Sequence, residues 1–119
     1  MDIDKDLVAA SATPLVLSIL AEGENYGYAI LKRVREISLG ELQWSDGMLY
    51  PLLHRLHRLG YVTREWRVPP EGRRRRYYAI TDDGREALAE HQRQWMIVAR
   101  ALGDIWEGTD VLPLAFGRA

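Results

Sequence analysis

The chain has 119 residues, 47% of them apolar, no cysteine and a formal net charge of −1, a size that supports one modest core. The absence of cysteine excludes disulfide frameworks and thiolate metal sites and suits a reducing compartment. The apolar run from Pro14 to Ala21 is too short to span a bilayer and the acidic start "MDIDKD" lacks the basic region of a secretory signal, so a cytoplasmic protein is expected.

Along the chain, Thr13 and Pro14 are suited to the N-cap and first position of a helix that runs to about Ala21 and stops at Gly23. Asn25 is placed to cap a second helix, "YGYAILKRVREIS", with Ile30, Leu31, Val34 and Ile37 along one face and Gly40 at its end. Ser45 caps a third, "DGMLYPLLHRLHRLG", closed by Gly60. Leu49, Leu52, Leu53, Leu56 and Leu59 form its apolar stripe. Pro51 removes one backbone bond, to the Gly47 carbonyl, which predicts a loosened first turn and no break.

"YVTREWR" and "RRYYAI" predict the two strands of a hairpin, with turn chemistry from Pro69, Pro70 and Gly72 and a tip near residues 68–74. Arg73, Arg74, Arg75 and Arg76 fall on that tip and the returning strand, where side chains alternate between faces, and Tyr78 and Ile80 share one face. Thr81 then caps a long helix over 82–107, with Asp82 and Asp83 at the positive end of its dipole. Leu88, His91, Trp95, Val98, Leu102 and Ile105 follow a 3-4-3-4-3 spacing, an a/d seam that calls for a second helix.

The charge is concentrated in the middle. Residues 1–43 hold four basic and seven acidic side chains, a net −3; residues 44–80 hold eight arginines and three acids, a net +5; the remainder, with four and seven, returns to −3. A basic middle between acidic ends suits a protein that meets a polyanion through one face. Helices, then a hairpin, then a helix is the order of a winged helix-turn-helix. The helix before the hairpin enters the major groove and the wing lies along the flanking backbone or minor groove. With the leucine stripe buried, the third helix presents Asp46, Gly47, Tyr50, His54, His57 and Arg58 outward. Gly47 permits close approach, and Ser45 and Tyr50 offer hydroxyls to phosphate or base edges. Tyr28 is a candidate for a phosphate contact from the second helix. Arg73, Arg74 and Arg75 are the wing's candidate DNA contacts; about half of the arginine run can touch DNA at once, and such contacts supply affinity and salt dependence.

"WSDGMLYPLLHRLHRLGYVTREW" followed by "GRRRRYYAITDDGREAL", together with "NYGYAI" at residues 25–30, resembles the PadR family of bacterial transcriptional regulators. The resemblance covers about residues 13–88. It implies a mainly α fold with a small β-hairpin: a winged helix-turn-helix DNA-binding domain over residues 1–80 and a C-terminal dimerisation helix and tail over 81–119. It further implies a homodimeric repressor of a detoxification or efflux gene that binds double-stranded operator DNA and releases it when a small molecule binds. In the short, multidrug-binding branch of the family a tryptophan on the C-terminal helix stacks on planar aromatic ligands. By the same resemblance Trp95 takes that place, with Leu7 and Ala10 facing it from the N-terminal helix. The a/d seam makes packing in the dimer the competing role for Trp95.

His54 and His57 lie three residues apart without an acidic third ligand, so no metal site is expected. No nucleophile elbow, phosphate-cradling glycine loop or HExxH motif is present, and neither an enzyme nor a cofactor is expected. The alternative is a winged-helix protein-interaction module whose wing meets an acidic protein. The arginine cluster beside a helix face of hydroxyl and imidazole groups favours DNA.

Overall fold

A computed structural model describes residues 2–106. The first helix, α1 (Lys5–Ala21), begins well before Thr13: the Asp4 carboxylate accepts from the Asp6 N–H at 2.8 Å and serves as N-cap. Pro14, expected at the first helical position, instead lies inside α1. Asp4 supplies a cap and the intervening "LVAASA" contains good helix formers, so the helix is established upstream and forfeits only the bond that a Pro14 N–H would have made. The Thr13 hydroxyl accepts from the Arg55 guanidinium at 3.1 Å.

Asn25 does not cap the second helix. Its side-chain oxygen accepts from the Tyr26 N–H at 3.0 Å, and Asn25–Tyr26 form a short strand, β1. Helix α2 (Gly27–Ile37) follows directly, with no side-chain cap. Ile30, Leu31 and Val34 are buried, but Ile37 is partly exposed. The helix ends there, with Leu39 (φ 53°) and Gly40 (φ 84°) in the left-handed region and the Gly40 N–H bonded to the Arg35 carbonyl at 2.8 Å.

Helix α3 (Asp46–Arg58) starts as expected, the Ser45 hydroxyl accepting from the Met48 N–H at 3.2 Å, and runs through Pro51 unbroken. Leu49, Leu52, Leu53 and Leu56 enter the core. Leu59 does not, because it is the C-cap residue. Gly60 (φ 84°) donates to the His57 carbonyl and Tyr61 to that of Leu56, closing a Schellman motif.

Strands β2 (Val62–Arg67) and β3 (Arg75–Ile80) form the expected hairpin, in register from Val62 opposite Ile80 to Arg67 opposite Arg75. The sheet is three-stranded, in the order β1-β3-β2, because Asn25 and Tyr26 pair with Tyr78 and Tyr77. The chain is thus mainly helical with a small antiparallel sheet, and the expected hairpin carries one strand more. Val16, Leu17 and Leu20 of α1 join the α2 and α3 side chains, Val62 and Tyr78 in one core.

Helix α4 (Asp82–Ile105) opens at Thr81, whose hydroxyl donates to the Gly60 carbonyl at 2.7 Å and accepts from the Gly84 N–H at 3.0 Å. The chain forms two compact units, Met1–Leu88 and Ala89–Ala119, so α4 begins in one and continues in the other. Leu88, expected in the seam, is 8% exposed and packs in the core of the first unit. Residues 107–119, part of the expected C-terminal region, lie outside the described residues. Gly84 is pressed on the Tyr61 carbonyl, which a Cβ would overlap. Gly84→Ala should lower the urea midpoint, at a cost of about 1–3 kcal/mol from overpacking; an unchanged midpoint would show that the backbone shifts freely there.

Candidate nucleic-acid interface

Alternation along β3 sorts the wing's side chains onto two faces. On one, Tyr77 meets Tyr26 edge to face, with centroids 5.5 Å apart. The Arg67 guanidinium lies 4.9 Å above the Tyr77 ring and is paired with both Glu24 and Glu65. Arg75 joins this face, 4.3 Å from the Tyr26 centroid and 3.4 Å from the Glu71 carboxylate. The Arg67 hydrogen bonds hold the Glu24 and Glu65 carboxyls below their ordinary range. These contacts clasp the wing to β1.

The other face carries Tyr78, Arg76 and, opposite Arg76, Trp66. Tyr78 is buried in the core, whereas Trp66 is 49% exposed. The Arg74 and Arg76 guanidinia lie 4.3 and 4.6 Å from the Trp66 ring centroid. Among the described residues no ion pair joins Arg73, Arg74 or Arg76 to an acid. The wing is therefore chemically two-sided: one face neutralised by carboxylates, the other cationic.

A cleft of about 750 Å³ opens between this cationic face, Tyr26, Gly27 and Tyr28 at the start of α2, and Tyr50 of α3. Among the described residues, no acidic side chain lines it. A Cβ on Gly27 would overlap the Tyr50 hydroxyl, so the ring lies directly against the start of α2. Burial foremost, with the neighbouring Asp46 and Tyr78, raises the Tyr50 pKa, keeping the phenol protonated and able to donate.

Of the residues expected to face a ligand from α3, Ser45, Asp46, Gly47, Tyr50, His54 and Arg58 are all exposed, as is Tyr28 on α2. His57 is partly buried, and desolvation, followed by Arg64, His54 and Arg76, lowers its pKa. Arg73 and Arg74 lie at the wing's tip, and Arg75 stands on the clasped face and also lines the cleft. Sequence reasoning left Trp66, Gly27 and the Glu24–Arg67 clasp without a role. Counting back from the hairpin tip could have placed Trp66 opposite Arg76, but Glu24 and Arg67 are 43 residues apart and carry no local signal. In the second unit, Val98, Leu102 and Ile105 are exposed, together with Ile97 and Trp106, while His91 and Trp95 are partly covered. Leu7 and Ala10 are exposed on α1.

Among the described residues, no helix is long and apolar enough to cross a membrane, and no three His, Asp or Glu side chains are grouped to hold a metal ion. A polar-faced α3 followed by a cationic hairpin defines a winged helix-turn-helix. A family model described as the Transcriptional regulator PadR-like family matches residues 16–90. Transcriptional regulator Rv3488 of Mycobacterium tuberculosis is 39% identical over 85 residues, covering 71% of this chain and 76% of that protein. Among solved structures, a transcriptional regulator from Clostridium thermocellum has a TM-score of 0.78 at 25% identity, over 87% of this chain and 100% of the other. A PadR family transcriptional regulator from Eggerthella lenta gives 0.73 at 32% identity, over 87% and 88%. This chain belongs to the PadR-like family of transcriptional regulators.

The clasp is testable through Glu24. Its carboxyl should titrate below the ordinary 4.5 and return toward that value in Arg67→Ala, followed by side-chain NMR. Since the folded-state pKa is depressed, the clasp's contribution to stability is present above about pH 4.5 and fades as pH falls. A Glu24 midpoint that ignores the Arg67 substitution would rule the clasp out.

Proposed function

We propose that this chain is a homodimeric repressor that binds operator DNA through α3 and the cationic face of the wing. The observation that carries this is that, among the described residues, Arg73, Arg74 and Arg76 have no acid partner and the cleft beside them has no acidic lining, next to an α3 face of hydroxyl, imidazole and guanidinium groups. Phosphates would satisfy the arginines and position the protein, while Tyr50, His54 and Arg58 would read base edges in the major groove, with Ser45, Gly47 and Tyr28 near the backbone. Arg75, paired with Glu71, would chiefly hold the wing in shape. On this account residues 1–80 form the DNA-binding part and 81–119 the dimerisation part, working in the cytoplasm. The exposed Val98, Leu102 and Ile105 would form the seam with a second copy. By family resemblance, a planar aromatic inducer would stack on Trp95 near Leu7 and Ala10, and the regulated gene would serve detoxification or efflux.

The test is a salt titration of binding to duplex DNA from the gene's own upstream region. Log affinity should fall linearly with log salt, and Arg74→Ala and Arg76→Ala should each flatten the slope by about one. Arg75→Ala should leave the slope nearly unchanged. Tyr50→Phe should weaken the operator complex more than the complex with random duplex. No binding to any duplex at low salt would overturn the proposal, and would favour a wing that docks an acidic protein.

A further inference from the structure

We propose that Trp66 is a positioning residue of the wing, its indole holding the Arg74 and Arg76 guanidinia as a preformed pair with their N–H donors free for phosphate. This rests on the DNA-binding role proposed above and adds a residue that contributes neither charge nor a base contact. Arg76 lies on β3 and Arg74 immediately precedes the strand, and the two guanidinia come together beside Trp66. Two adjacent cations without an acid between them repel each other and would otherwise splay into water. Both are instead within 4.6 Å of one ring centroid.

The stacking matters because of what it leaves unused. A guanidinium stacked on an indole engages the ring through its flat face, whereas its N–H donors point outward in its own plane. A carboxylate partner consumes those donors. The wing shows both arrangements: Arg67 donates to Glu24 and Glu65, while Arg74 and Arg76 lie over the Trp66 ring and have no carboxylate partner among the described residues. An acid in place of Trp66 would hold the arginines equally well, but it would cancel their charge and repel a phosphate. An indole orders them without that penalty.

The location of Trp66 separates this role from core packing. Its ring is half exposed, and it is absent from both the buried core and the partly buried side chains packed on it. Its place opposite Arg76 is fixed by hairpin register, and its ring helps line the acid-free cleft. Ordering the two arginines in advance removes part of the side-chain entropy that binding would otherwise cost.

The experiment compares Trp66→Phe, which keeps a weaker aromatic face, with Trp66→Leu, which keeps apolar bulk and has none, in the full chain. Binding to the upstream duplex is measured over a range of salt, alongside NMR relaxation of the arginine Nε–H groups without DNA. Trp66→Leu should bind on the order of tenfold more weakly and Trp66→Phe should recover part of that loss. Arg74→Ala should cost less in the Trp66→Leu background than in the wild type, the mark of coupled residues. Without DNA, Arg74 and Arg76 should be ordered in the wild type and mobile in Trp66→Leu. Equal losses in the Leu and Phe variants, strictly additive losses with Arg74→Ala, or arginines as mobile in the wild type as in Trp66→Leu would each overturn the proposal. Ordered arginines in a wild type that binds no duplex would leave the stacking intact and refute the DNA-binding role instead.

Discussion

The pairing of β3 with strands on both sides is the constraint on which the candidate interface depends. Because β3 is central, it cannot slip by one residue without breaking registers with β1 and β2 together. Such a slip would take Tyr78 out of the core and exchange the clasped face for the cationic one. Two residues of β1 are enough to prevent it, since Tyr26 packs on Tyr77 and Glu24, just before β1, pairs with Arg67. A bare two-stranded hairpin with four consecutive arginines would be a poor platform for an oriented site.

Charge segregation follows from that register. The run of arginines is uniform in sequence, yet its members enter different surroundings: Arg75 meets Glu71 and a tyrosine ring, while Arg74 and Arg76 meet an indole. A net charge near zero therefore coexists with a cleft that, among the described residues, no acid lines. Tyr50 and Gly27 extend the same surface from wing to α3, and a side chain at residue 27 would displace the Tyr50 hydroxyl from its place.

Elements with strong local signals were legible in the sequence. Ser45 and Gly60 delimit α3 through a hydroxyl cap and a left-handed turn, both written in single residues, and the leucine stripe between them identifies the buried face. The hairpin tip was equally plain in Pro69, Pro70 and Gly72. Elements decided by distant partners were not. Asn25 has the chemistry of a helix cap, but its backbone is taken up by Tyr78, far along the chain. Pro14 marks a helix start only when nothing upstream starts one sooner, and Asp4 does. Leu88 fits a heptad seam by spacing, yet the approach of α4 to Tyr61 at Gly84 carries it into the core. For the candidate site, residue types exposed their positions on α3 and the wing, while the division of arginines between faces required the register.

The central claim is that DNA meets one face of the wing together with α3. Its most direct test is NMR perturbation mapping of the isotopically labelled full chain titrated with upstream duplex. Large changes are expected at the Gly47, Tyr50 and His54 amides, the Trp66 indole N–H and the Arg74 and Arg76 Nε–H groups, with Glu65, Arg67 and Tyr77 little affected. Changes concentrated on Glu65, Arg67 and Tyr77, with Trp66 and Arg76 silent, would contradict it.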